Sequence, residues 1–260
     1  MAHGNARGFR GGAGKARALF RGGPGLSLAE MVSLLIATRN AHKVGEIRAI
    51  LGEGVRCLTL DDFPGAPEVV EDAETFAGNA ARKAEALARW LAERPNVKPG
   101  TETGEWYVLA DDSGLEVDAL QGAPGVHSAR FAALDTGHPG NSSAADNNAK
   151  LLRLLAEVPP VERTARFRCV LALTPVPRFP AGAATAPGRA GETALRTELF
   201  EGACEGRIGL APRGQGGFGY DPLFIPAGQE ATFAELGEAI KNRMSHRSRA
   251  LALLGAKLRD

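Results

Sequence analysis

Apolar residues along this chain alternate between two spacings, and the changes outline strands and helices in turn. Val32-Ser-Leu-Leu-Ile-Ala37 is an apolar run of strand length. The polar turn Thr38-Arg-Asn40 follows, and then Val44, Ile47, Ile50 and Leu51 recur at helical spacing. Residues 55–60 read as a second strand, ended by Asp61-Asp-Phe-Pro64. A long helix is predicted over residues 75–91, with Phe76, Ala80, Ala84, Leu87 and Leu91 on one face. Residues 94–105 contain prolines and charged side chains and read as a surface loop.

The next strand carries Val108-Leu-Ala-Asp-Asp-Ser-Gly-Leu115, breaks at Ser-Gly, and leads to the turn cluster Gly122-Ala-Pro-Gly125. Residues 141–158 are predicted helical around Leu151, Leu154 and Leu155. Residues 165–176 and 197–208 read as strands, and a Pro-, Gly- and Ala-rich stretch over 178–196 looks like an exposed insertion. Residues 245–258 close the chain as a helix. No repeat or linker divides residues 31–260, so they are expected to form one α/β domain of two lobes.

Residues 1–30 are rich in Gly, Ala and Arg and poor in large apolar side chains, and read as a disordered extension. They lack the apolar stretch of a secretory signal. Their Gly11-Gly-Ala-Gly-Lys15 is no phosphate loop, because the spacing is wrong and Ala16 stands where Ser or Thr belongs.

Composition narrows the function. The chain has 260 residues, 44% hydrophobic and 23% charged, enough for a sizeable core. Five of its 31 basic residues and one of its 30 acidic residues lie in positions 1–30, so the body carries 26 against 29 and is mildly acidic. Such a body is not built to neutralise a nucleic-acid backbone, so no nucleic-acid partner is expected. Cys57, Cys169 and Cys204 lack metal-ligand spacing and read as reduced thiols of a cytosolic protein. No apolar run reaches the roughly 18 residues of a membrane span.

Six segments carry candidate chemistry. Adjacent side chains of a strand point to opposite faces, so of Asp111 and Asp112 one can face a cleft while the other is bound into the scaffold. A carboxylate so placed commonly holds a divalent metal or activates water. Thr38, Asn40 and Lys43 gather at the start of the first helix, an end that either binds anions or is merely capped. Asn79 and Lys83 share one face of the long helix, and Lys83 either snorkels or aims into a cleft. Glu71 lies in an acidic patch just before that helix.

Gly214-Gln-Gly-Gly-Phe-Gly-Tyr-Asp-Pro222 contains a literal G-x-G-x-x-G, but Leu223-Phe-Ile-Pro226 cannot begin the helix that a dinucleotide fingerprint must open. Its glycines suggest close approach of backbone to a ligand, with Phe218 and Tyr220 as ring platforms and Asp221 as an acceptor. Lys241, His246 and Arg247 cluster at the start of the last helix, where Ser245 is a suitable N-cap. Helix-dipole logic prefers acids there, and an anionic or carbonyl-bearing ligand would explain the cluster.

Taken in order, these segments resemble the inosine triphosphate pyrophosphatase family, the XTP/dITP diphosphatases. The resemblance runs through Ala37-Thr-Arg-Asn-Ala-His-Lys43, Glu71-Asp-Ala-Glu-Thr-Phe76, Asn79-Ala-Ala-Arg-Lys-Ala84 and Ala110-Asp-Asp-Ser-Gly114. It continues in Gly122-Ala-Pro-Gly-Val-His-Ser-Ala-Arg130, Gly216-Gly-Phe-Gly-Tyr-Asp-Pro222 and Ser245-His-Arg247. It implies a long mixed β-sheet flanked by helices, two lobes around a central nucleotide cleft, and a homodimer. Thr38, Arg39, Asn40, Ala41, His42 and Lys43 would hold the triphosphate with Lys83, and Glu71 and Asp112 would hold Mg²⁺. Asp112 would also activate water, and Ser113 would touch the nucleotide. Phe218 would stack on the base, and Gly219, Tyr220, Asp221, Lys241, His246 and Arg247 would frame base and sugar, with His246 and Arg247 donating to the 6-oxygen.

The implied reaction is Mg²⁺-dependent hydrolysis of ITP, dITP and XTP to the monophosphate and pyrophosphate. Arg39 departs from the family, many of whose members have Gly there. A pyrophosphatase of the septum-formation-inhibitor type would share the opening strand–loop–helix but lack the Ser245-His-Arg247 and Phe218–Asp221 segments. A silent nucleotide-binding protein would be favoured by loss of Asp112 or Glu71, and both are present.

Overall fold

The computed structural model describes residues 32–94, 97, 105–137, 139–177 and 195–258. The extension over residues 1–30, and nearly all of the loop over 94–105 and the insertion over 178–196, lie outside the described residues. Strand β1 (Ser33–Ile36) runs into α1 (Ala41–Leu51), and Asn40 starts that helix by accepting hydrogen bonds from the amides of His42 and Lys43. Strand β2 (Arg56–Thr59) follows, and then α2 (Phe76–Ala92), capped by Thr75, which buries Phe76, Ala80, Ala84, Leu87 and Leu91 as its stripe predicts. Beyond these come β3 (Trp106–Val117), α3 (Ala144–Leu154), β4 (Thr164–Pro175) and β5 (Glu198–Ile208). The chain then forms β6 (Phe224–Pro226), α4 (Phe233–Leu236), α5 (Glu238–Met244) and α6 (His246–Lys257). None of the described helices is long and apolar enough to cross a membrane.

The strands form one mixed sheet in the order β2-β1-β3-β4-β5-β6. β1 is parallel to β2 and β3, and β3 to β6 are successively antiparallel. The two faces of the β1–β3–β4 region are covered differently. Val108, Ala110, Val170 and Ala172 pack in a core with the α2 stripe. Leu109, Cys169 and Leu171 pack on the other face with Ile47 and Leu51 of α1 and Leu251 and Leu254 of α6. A third core joins the far ends of β3, β4 and β5 to α3, β6 and α4, and includes Leu115, Val117, Phe167, Leu151, Phe224 and Phe233. That far end is the second lobe.

β3 differs from expectation. The strand does not break at Ser113-Gly114 but continues in register with β4 as far as Val117. Gly114 is needed for close approach rather than for a turn. A Cβ there would collide with the Ser128 hydroxyl and the Gly125 carbonyl of the crossing segment, and the Leu115 amide donates to that same hydroxyl at 2.9 Å. The helix expected over 141–158 is shorter, because Ser143 caps its start and the chain leaves helical geometry at Leu155.

Candidate active site

The two halves of the Asp111–Asp112 pair fall in opposite environments because the faces of β3 are covered by different helices. Asp111 lies on the α1/α6 face. It accepts from Arg247 Nε at 2.7 Å, from Lys43 Nζ at 2.6 Å and from the Ser113 hydroxyl at 2.9 Å. Burial alone would raise its pKa, but the charges of Arg247 and then Lys43 outweigh burial and hold the carboxyl well below the usual range. Asp112 lies on the α2 face, where Asn79 Nδ2 donates to its Oδ2 at 3.0 Å. Burial raises its pKa, and the more distant charges of Lys43 and Lys83 offset that only in part. One acid is a fixed anion of the scaffold, and the other is a comparatively basic carboxylate on the wall of a cavity.

That cavity, of about 520 Å³, lies between the lobes and is within the range of small-molecule sites. Thr38, Arg39, Asn40, Lys43, Glu71, Lys83, Asp112, Ser113, Phe218, Gly219, Tyr220, Asp221, Lys241, His246 and Arg247 all line it. Ala41 and His42 are not among its lining residues. At the Thr38–Lys43 end the amides of His42 and Lys43 are already taken by Asn40 Oδ1, and Lys43 is held by Asp111 rather than mobile. Arg39 is exposed and lines the cavity, and its Nη2 donates to the Ala66 carbonyl at 3.1 Å. Lys83 does not snorkel outward. It is ion-paired with Glu71 on the cavity wall, and burial, then Lys43, lowers its pKa.

The cationic cluster at the start of α6 has a different explanation from the one its sequence suggests. Arg247, fully buried, pairs with Asp111 and with Glu46 of α1, and its Nη2 also donates to Ser113 at 2.9 Å. Lys241 pairs with Asp221 at 2.5 Å and with Glu46 at 2.8 Å. Glu46, Asp111 and Asp221 thus oppose Lys43, Lys241 and Arg247, and the anions that the cluster requires belong to the protein. Arg247 is therefore charge-compensated within the protein while also lining the cavity. His246 is not a cation: burial, then Arg247 and Lys241, push its pKa well below the usual value. Its ring stacks on Phe167 at 4.8 Å, and its Nδ1 is buried with no partner among the described residues.

At the other end of the cavity, the loop carrying Phe218 is pinned by polar contacts. The Phe218 amide donates to Asp221 Oδ2 at 2.8 Å, and the Gly219 carbonyl accepts from Asn148 Nδ2 at 3.0 Å. Gly217 has φ +72, and a Cβ on it would overlap the Asp221 carboxylate. Tyr220 is buried, with its hydroxyl donating to the Ser128 carbonyl at 2.9 Å, which makes it a strut rather than a free platform. Phe218 keeps a ring that faces the cavity, with the Lys241 ammonium 4.4 Å from its centroid.

Sequence reasoning passed over Glu46, although a carboxylate beside Ile47 and Ile50 on the apolar stripe of α1 is a legible anomaly. Asn79, noted only for its spacing from Lys83, is nearly inaccessible and ties Asp112 to the Ala73 amide, which it accepts at 2.9 Å.

The Ham1 family model matches residues 34–257. The chain is 46% identical over 225 residues to the dITP/XTP pyrophosphatase of Geobacillus kaustophilus, covering 86% of this chain and 93% of the relative. It is 47% identical over 221 residues to the dITP/XTP pyrophosphatase of Desulforamulus reducens, covering 85% and 92%. Among solved structures it is similar to the Ham1 protein of Staphylococcus aureus, with a TM-score of 0.66 at 32% identity over 87% of this chain and 98% of that one. A HAM1 protein from Coxiella burnetii gives 0.67 at 31% identity over 88% and 99%.

Proposed function

The chain belongs to the Ham1 family, and from that premise we propose that its cleft hydrolyses the non-standard purine triphosphates ITP, dITP and XTP to monophosphate and pyrophosphate, with Mg²⁺. The observation that carries this reading is Asp112, a carboxylate held by Asn79 on the wall of the cavity that the Lys83–Glu71 pair also lines. Glu71 and Asp112 offer hard oxygen donors on one cavity, and Asn79 engages only Oδ2 of Asp112. No group of three or more His, Cys, Asp or Glu that could hold a metal occurs among the described residues. That donor set suits Mg²⁺, which takes one or two carboxylates and completes its shell with phosphate oxygens and water. Bound there, the ion would offset phosphate charge and polarise the phosphorus under attack.

In this reading Asp112 takes a proton from a water as that water's oxygen bonds to the α-phosphorus. The bridging bond to the β-phosphate breaks, and pyrophosphate leaves. Lys83, released from Glu71, and Lys43 supply positive charge along the triphosphate. Phe218 stacks on the base. The neutral His246 imidazole supplies one N–H for the 6-oxygen of the base, beside Arg247, which lines the same cavity.

Pyrophosphate release from ITP, XTP, ATP, GTP and dTTP in Mg²⁺ tests the reading. Orthophosphate as product, full activity in EDTA, or a preference for dTTP would each overturn it. The same reading includes a homodimer working in the cytosol, supported by the family resemblance and by three free thiols; light scattering at working concentration tests the oligomer.

A further inference from the structure

The His42 imidazole and the Phe218 ring stack with centroids 5.1 Å apart and planes 12° from parallel. Among the described residues this is the one ring–ring contact that joins the start of α1 to the glycine-rich loop. Phe218 is among the residues that line the cavity and His42 is not. We propose that His42 is a positioning residue: it latches the Phe218 ring across the mouth of the cleft and thereby holds the base platform in register with the triphosphate end. The proposal rests on Phe218 stacking against the base.

The need for a latch follows from how the loop is held. Its backbone is tied to its own lobe, through the Phe218 amide on Asp221, the Gly219 carbonyl on Asn148, and the Gly216 amide on the Ala234 carbonyl at 3.2 Å. Those bonds fix the main chain and leave the ring torsions free. Gly217 and Gly219 flank Phe218 at φ +72 and +61, so neither chain neighbour has a side chain to buttress the ring. The Lys241 ammonium meets the ring from a residue that lines the cavity. His42 supplies contact from the opposite lobe. Its own position is set at the second residue of α1, where its amide donates to Asn40 Oδ1 at 3.0 Å. The neighbouring Lys43 reaches the cavity, so one helix end carries both the latch and a cation of the triphosphate site.

Steady-state kinetics with ITP test this. His42→Ala is expected to raise KM about two- to tenfold, the worth of one aromatic pair, with kcat within about twofold of the parent. His42→Phe keeps the stack and should return KM to the parent value. In a Phe218→Ala background, His42→Ala should add no further change. Inhibition by tripolyphosphate, which has no base, should be the same with and without His42. If Phe218→Ala alone leaves the KM for ITP unchanged, the base-platform reading itself fails. If Phe218→Ala raises KM but His42→Ala does not, or phenylalanine fails to rescue, the latch is overturned while the platform stands. Weaker tripolyphosphate inhibition in His42→Ala would make His42 a phosphate ligand and would also overturn it.

Discussion

Replacing each acid of the Asp111–Asp112 pair by asparagine should produce opposite kinds of defect, although the two residues are neighbours in sequence. Asp111 is 2% exposed, and its charged form is favoured by Arg247, 2.7 Å away, and Lys43, 2.6 Å away. Asp111→Asn removes that charge, turns an amide N–H toward a cation, and leaves Arg247 with Glu46 as its remaining carboxylate. Breaking a buried pair by removing one partner costs roughly 3–5 kcal/mol. Lys43 keeps some contact with solvent and can recover part of its hydration, which favours the lower half of that range. At about 2–4 °C per kcal/mol for a protein of this size, Tm should fall by roughly 6–16 °C.

For Asp112 the sign is reversed, because burial raises its pKa and so opposes the charged form in the fold. Asp112→Asn relieves that penalty, and the amide oxygen can still accept from Asn79. Its Tm should stay within about 3 °C of the parent or rise. Its kcat for ITP should nevertheless fall by about 10²–10⁴, the contribution of a general base. Thermal unfolding by circular dichroism and pyrophosphate release, run on both variants, make the comparison. Equal Tm losses, or an Asp112→Asn variant within a few-fold of parental kcat, would refute the assignment of scaffold and catalytic roles.

Phe218→Ala should lower kcat/KM for ITP and ATP by similar factors, since stacking does not read exocyclic groups; at roughly 1–3 kcal/mol the loss is about 5- to 150-fold, and a change confined to ITP would refute it. His246 has a folded pKa well below its unfolded value near 6.5, so the unfolded chain takes up the proton first. Its stabilising effect is therefore present above about pH 6.5 and is lost as pH falls toward the folded pKa, by up to about 1.4 kcal/mol per pH unit. Denaturant unfolding between pH 7.5 and 5 should show that slope in the parent and a shallower one in His246→Gln. Gly114→Ala should destabilise by about 1–3 kcal/mol in urea melts, because the added methyl meets Ser128 and the Gly125 carbonyl; an unchanged midpoint would show that the crossing segment yields freely.

Local pattern determined much of this protein. The stripe of α2, the strand–turn–helix at residues 33–51 and the N-caps Asn40 and Ser245 depend on contacts within a few residues, and all are legible in the chain. The opposed faces of Asp111 and Asp112 follow from strand geometry, with no knowledge of the fold. Tertiary structure decided which acid faces what, because that depends on α2 covering one face of β3 and on α1 and α6 covering the other. Arg247 meets Asp111 across 136 positions and Glu46 across 201, so the basic cluster looked as if it awaited a ligand when its counter-charges lay far along the chain. The continuity of β3 through Ser113-Gly114 was hidden for the same reason: it is set by pairing with β4, where Gly114 stands against Arg168 and Val117 against Ala165. β6, α4 and α5 span three, four and seven residues, too few for a period to show, and they exist because the second lobe buries Phe224 and Phe233. Hydrophobic periodicity reports on neighbours within a turn or a strand, whereas charge pairing and close approach are settled only when distant segments meet.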